Sequence, residues 1–196
     1  MKNSTLTFVT GNNGKFKEVE HYINELAPTI TLKQAAIDLP ECQSLDIRTV
    51  ALGKAKKAWK LLQTPVLIDD GGLYLERYHQ FPGTLSKYVY QGIGLNGIWL
   101  LAKEDPRAYF LSCLVYITSP TDYHFFEGIC QGTMIEPVNE VLDSHLPYTY
   151  MFVPNGQTKT MAQLRNTEVE KEFHHRLKAT KQLINYIATV VAERIC

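Results

Sequence analysis

The sequence predicts an α/β protein built on a mixed β-sheet, and three observations carry that prediction. Two strand-then-helix units open the chain, two long β-rich segments joined by a short turn follow, and a helical segment closes it. The 196 residues suffice for one large core. Apolar residues make up 45% and charged residues 20%, the proportions of an ordinary globular protein rather than a disordered or fibrous one.

In the first unit, residues 6–10 read as a short buried strand and residues 11–14 interrupt it. Phe16, Val19, Ile23 and Leu26 then recur at helical spacing until Pro28. Residues 31–37 read as a second strand and 39–46 as a polar loop around Pro40. In the second unit Ile47, Val50, Ala51, Ala55, Ala58, Trp59 and Leu62 mark an amphipathic helix that also carries Lys54, Lys56, Lys57 and Lys60. Pro65 precedes a buried strand over 66–68, which runs into Asp69-Asp70-Gly71-Gly72. Residues 77–97 read as irregular, with Pro82, Gly83, Gly92, Gly94 and Gly97, and 95–103 as a short helix. Residues 108–119 and 123–133 form a hairpin turning at Pro120-Thr121-Asp122. A strand end falls at 151–153, and 168–192 is helical, with Phe173, Leu177, Leu183, Ile184, Ile187 and Val191 on its apolar side. No repeat or linker divides the chain, so residues 1–196 read as one domain.

Lysine plus arginine and aspartate plus glutamate number 20 each, so the formal charge is zero. Such a chain has no global field to attract a nucleic-acid polymer or an anionic membrane, and a polyanionic ligand must be held by local donors. No stretch approaches the roughly 20 apolar residues of a membrane span. The first ten residues lack the apolar region of a signal peptide. Cys42, Cys113, Cys130 and Cys196 form no CxxC pair, which argues against zinc and redox motifs. Cys113 and Cys130, in apolar segments, read as buried thiols, and a cytoplasmic location is expected.

Three constellations carry chemistry. Thr10-Gly11-Asn12-Asn13-Gly14-Lys15 sits between strand and helix, where unpaired amides and the helix dipole favour an oxyanion and glycines let it approach. It matches neither GxxxxGK[ST] nor GxGxxG, and an ordinary turn with a helix cap accounts for the glycines equally well. Asp69-Asp70 closes a buried strand, where α/β sheets gather their ligands. If the strand continues the two acids point to opposite sides, so at most one is central. An aspartate there can hold Mg²⁺ or deprotonate a water; Glu41 is a second oxygen ligand, and Lys54 can aim its ammonium at phosphate. Against this stand a plain turn at the acids and a solvated lysine face around Lys54. His174-His175-Arg176 opens the last helix and offers a rigid fork of donors, or else a solvated helix face. His21, His79, His124 and His145 show no ligand spacing and read as structural.

The ordered set Thr10-Gly11-Asn12-x-x-Lys15, Leu39-Pro40-Glu41, Lys54-Ala55, Asp69-Asp70-Gly71-Gly72-Leu73, Pro82-Gly83, Phe126-x-Gly128-x-x-x-Gly132 and His175-Arg176 resembles the inosine triphosphate pyrophosphatase (Ham1-like) family. The resemblance implies an elongated mixed sheet with helices in two lobes around a central cleft. It also implies hydrolysis of ITP, dITP and XTP to the monophosphate and pyrophosphate, with Mg²⁺, by a homodimer. Position by position it implies that Thr10, Gly11, Asn12, Asn13, Gly14, Lys15 and Lys54 bind the triphosphate, with Gly71 beside them. Asp70 would accept a proton and hold metal with Glu41, and His175 and Arg176 would reach the purine; Lys171 matches a substrate-binding lysine before that pair only if one residue is missing. Three departures fall in the base-reading half. Leu146 stands for a stacking aromatic, Thr149 for a base-reading aspartate, and His174 for the serine of Ser-His-Arg; Gly71 also stands where serine is common. Tyr148 or Tyr150 is then expected to supply the stacking surface. The implied alternatives are a pyrophosphatase of shifted base preference and a nucleotide-binding protein without turnover.

Overall fold

The computed structural model describes residues 4–137 and 145–193. Six strands form one mixed sheet in the order β2-β1-β3-β4-β5-β6. β1 (Ser4–Val9) runs parallel to β2 (Ile30–Ala35) and to β3 (Val66–Leu75). β4 (Arg107–Ser119), β5 (Asp122–Met134) and β6 (Phe152–Pro154) follow antiparallel, each to its predecessor in the sheet. The parallel pairs need crossover helices, and α1 (Asn13–Leu26) and α2 (Ile47–Leu62) supply them. Asn12 caps α1 and Asp46 caps α2, accepting from the Arg48 and Thr49 amides at 3.2 and 3.1 Å.

Alternation along the central strands sorts the core into two faces. Phe8, Leu67 and Leu114 pack with Val19 and Ile23 of α1 and Leu183 of α6 (His175–Glu193). Ile68, Val115 and Ile117 meet Ala51, Ala55 and Ala58, a stripe of small residues that lets α2 lie close on the sheet. A third cluster gathers Leu73, Leu75, Phe110 and Phe152 with Ile98 of α3 (Ser86–Ala102) at the far ends of the long strands. Cys113 and Cys130 are buried free thiols; burial pushes Cys130 up to about 12. Cys196 and the side chain of Val191 lie outside the described residues.

Four expectations are corrected. The strand read over 66–68 is longer: every residue from Val66 to Leu75 pairs with β4, which also removes the plain-turn alternative at Asp69-Asp70-Gly71-Gly72. Gly72 is required there, since a Cβ would overlap the Gly83 carbonyl oxygen. The irregular region holds a 3₁₀ turn (Gly83–Leu85) and then α3, longer than the expected short helix and broken at Gly94 (φ 63°, ψ −174°). Its glycines hide the periodicity, and burial of Leu95, Ile98 and Ala102 overrides their poor propensity. The C-terminal helix is interrupted: α4 (Met161–Leu164) and α5 (Glu170–Phe173) precede α6, with His174 extended between α5 and α6. The strand end at 151–153 is β6, one residue later.

Candidate active site

One cavity of about 760 Å³ opens where the first β–α loop, the middle of β3, the start of α3 and the start of α6 converge. Thr10, Gly11, Asn12, Lys15, Glu41, Lys54, Asp70, Gly71, Tyr148, Thr149, His175 and Arg176 all line it. Asn13, Gly14 and Lys171 are not among its lining. The Asn13 side chain accepts from Gln34, and Gly14 packs under Leu146, whose Cγ would stand 3.0 Å from a Cβ. Lys171 turns the other way, to Glu25 and Glu168 at 2.5 and 3.1 Å.

At one end of the cavity the first loop is both a cap and an open face. Asn12 Oδ1 accepts from the Lys15 amide at 3.0 Å, and Asn12 Nδ2 donates to the His145 carbonyl at 3.1 Å. A Cβ on Gly11 would meet nothing within 4 Å. Being α1's first residues, Asn13 and Gly14 have amides without partners in the helix, the arrangement that receives an oxyanion.

The acids split as strand parity requires, one to each side of the sheet, and both line the cavity. Asp69 faces α1 and α6. It binds Lys15 Nζ at 2.9 Å, Arg176 Nε at 3.2 Å and Ser112 Oγ at 2.5 Å. Its burial alone would raise the carboxyl; the Arg176 and Lys15 charges outweigh that and hold it at about 2. Asp70 faces α2, with Lys54 Nζ at 3.3 Å, and Lys54 also donates to Glu41 at 2.8 Å. For Asp70 burial wins: helped by the like charges of Asp69 and Glu41, it raises the carboxyl against the pull of Lys54 and Lys15. Lys54 is itself raised, because Asp70 and Glu41 outweigh its burial. Lys56, Lys57 and Lys60 are exposed, so the solvated-face account fits them and not Lys54.

The other end is aromatic and buried. His174, His175 and Arg176 are 1%, 4% and 3% exposed, so they are no solvated face. His175 stacks on Phe110 (centroids 5.0 Å, 15°), and its buried Nδ1 has no partner among the described residues. Burial, together with the Arg176 charge, pushes its ring well below the ordinary histidine range. Arg176 is clamped by Asp69 and Glu18; burial would lower it, but those two carboxylates raise it. The Thr149 hydroxyl donates to the Leu146 carbonyl at 2.7 Å and receives Arg165 at 3.3 Å. The Tyr148 hydroxyl donates to the Ser86 carbonyl at 2.7 Å, and its ring packs edge-on to Tyr90. Tyr150 is not among the lining residues.

Sequence reasoning missed Glu18, Asp69, Lys87, Phe110 and His145 as lining residues. Glu18 had a signal, since it stands three residues after Lys15 on one helix face. Phe110 had none, being one apolar residue of a strand.

Fold and site together define an α/β protein whose cavity is acid- and lysine-lined at one end and aromatic at the other. The sequence model of the Ham1 family matches residues 6–186, and the chain belongs to that family. It is 34% identical to the inosine triphosphate pyrophosphatase of Yarrowia lipolytica, over 94% of this chain and 96% of that one. It is 31% identical to the dITP/XTP pyrophosphatase of Hyperthermus butylicus, over 95% and 96%. The solved structure of a HAM1 protein from Coxiella burnetii matches with a TM-score of 0.75 at 20% identity, covering 97% of this chain and 99% of that one. The last likeness shows the fold.

Proposed function

We propose that this chain hydrolyses the triphosphates of deaminated purines, ITP, dITP and XTP, to the nucleoside monophosphate and pyrophosphate. The observation that carries the reading is the pair of pinned ammonium groups, Lys15 on Asp69 and Lys54 on Asp70 and Glu41, set around a buried acid at one end of a nucleotide-sized cavity. The names of the relatives support the substrate class. Two fixed cations and the amides opening α1 neutralise a triphosphate without reorganising, which is most of what phosphoryl transfer asks of a protein. Asp70, its carboxyl raised by burial, is a stronger base than an ordinary aspartate and can take the proton of the attacking water.

The donor set fits Mg²⁺. Glu41 and Asp70 converge on the one Lys54 ammonium, so both reach a shared volume. Among the described residues no group of three or more His, Cys, Asp or Glu forms a metal cage. Magnesium takes one or two carboxylates with phosphate oxygens and waters. Glu41 and Asp70 would hold it, and it would supply charge neutralisation on the phosphates.

A second reading, shifted base preference within the same reaction, has its own observation: the Thr149 and Tyr148 hydroxyls both donate to main-chain carbonyls. A hydroxyl so committed offers the base less than a free carboxylate does. A binding protein without turnover is disfavoured by the presence of Asp70, Lys54, Lys15 and Glu41 in one cavity. We also carry a homodimer as a proposal, supported by Tyr88, Ile93 and Leu100 of α3, which are 55%, 47% and 64% exposed. A cytoplasmic location goes with the free thiols. No described helix is long and apolar enough to cross a membrane.

The test is consumption of ITP, dITP, XTP, dUTP and the four common NTPs in Mg²⁺. Preference for the deaminated purines is expected; a pyrimidine as best substrate would overturn the substrate class.

A further inference from the structure

His174 ends α5 and begins α6, and it touches both residues assigned to the purine. Its backbone is extended (φ −61°, ψ 121°), and its carbonyl accepts from the Lys178 amide at 3.1 Å. Its Nδ1 accepts from the Arg176 amide at 3.2 Å. Those are the bonds of a helix N-cap, made by an imidazole instead of a hydroxyl. An accepting Nδ1 bears no proton, so the ring hydrogen is on Nε2. Nε2 stands 3.6 Å from the part-buried Glu18 and 3.5 Å from the buried Glu170. Glu18 is the residue that clamps Arg176. The ring also stacks on His175, centroids 4.7 Å apart at 17°, opposite the face that His175 presents to Phe110.

We infer that His174 is a positioning residue for purine recognition: its ring sandwiches His175 against Phe110, and its two nitrogens fix the α6 start and the Glu18 carboxylate that together orient Arg176. Serine, usual at this position in the family motif, can make the cap. It has neither the surface to stack on His175 nor the reach to stand between Glu18 and Glu170. In this chain the imidazole therefore replaces, from behind, some of the order that the altered 146–149 segment does not give the base. The inference rests on the purine nucleotide reading, and it concerns only the aromatic end of the cavity. The polar partners of the His174 ring are Arg176, Glu18 and Glu170, and not Lys54, Glu41 or Asp70.

The test uses His174→Ser and His174→Asn, each of which keeps a capping oxygen, so α6 retains its start. Dissociation constants for ITP and for inorganic tripolyphosphate, which has no base, are measured by calorimetry on wild type and variants. Steady-state kinetics on ITP follow. Both variants are expected to weaken ITP binding and raise its KM by about tenfold, while kcat and the tripolyphosphate affinity stay within about threefold. An unchanged ITP affinity, or equal weakening toward both ligands, would reduce His174 to a helix cap and overturn the inference. If wild type binds ITP without hydrolysing it, the hydrolase reading falls and the binding comparison still decides the role of His174. If wild type binds tripolyphosphate and not ITP, the purine assignment and this inference fall together.

Discussion

Asp69 and Asp70 are adjacent in sequence and burial raises both carboxyls, yet their net shifts are opposite because their partners differ. Asp69 has two cations and a hydroxyl, and its carboxyl is held at about 2 against an ordinary 3.8. The folded value lies below the unfolded one, so the unfolded chain binds more protons in that window. The stabilisation is complete above about pH 4 and is lost as pH falls through about 2. Glu18 is depressed too, since Arg176 outweighs its burial, and it adds to the same acid limb. Asp69→Asn leaves Arg176 and Lys15 short of a carboxylate and should cost about 3 kcal/mol at neutral pH. Denaturant melts between pH 2 and 7 should show that loss together with a shallower acid limb. Equal stability of variant and wild type at pH 7 would contradict the role given to Asp69. For Asp70 burial, with the like charges of Asp69 and Glu41, outweighs Lys54 and Lys15, and its carboxyl is raised. Asp70→Asn should lower kcat on ITP by at least roughly a hundredfold while ITP binding persists; retained turnover would refute Asp70 as the base.

Among elements, α6 matters most to the site, because its first turn carries His175 and Arg176. Gly128 of β5 lets that turn lie against the sheet. A Cβ there would overlap the His175 carbonyl oxygen and lie 2.9 Å from the Ala179 amide nitrogen. Both are backbone atoms and cannot swing aside. Gly128→Ala should therefore lower stability by about 2 kcal/mol and activity with it, read by denaturant melts and ITP turnover. A neutral result would mean that α6 moves freely on β5. The strands and the first two crossover helices were legible because their periodicity is clean and Pro28, Pro40 and Pro65 punctuate them. The start of α3 was not, since three glycines break its apolar pattern. The break before α6 was also hidden, because helical spacing runs through His174 and an imidazole is not an ordinary cap.

At the scale of the whole molecule, neutrality and the sheet order explain where an anion can bind. The chain has no net charge to attract a polyanion. Cations and acids are instead concentrated where β3 passes between α1 and α2, and the sheet carries the same strand on toward the aromatic end. The acid- and lysine-lined half was readable because its residues stand in short local motifs: a loop, a helical lysine and an acid pair. The aromatic half was read less well, since it is assembled from segments far apart in sequence. Phe110, Leu146, Tyr148 and His175 meet only through the sheet and α6. Lys171, expected among the substrate-binding residues, pairs with Glu25 and Glu168 instead and does not line the cavity.

The central claim is that this cavity breaks a triphosphate between its α and β phosphates. It is tested most directly by quantifying pyrophosphate and orthophosphate separately as the wild-type protein consumes ITP in Mg²⁺. The account predicts one pyrophosphate for each IMP formed and no orthophosphate. Orthophosphate with IDP, or no product from any triphosphate, would contradict it.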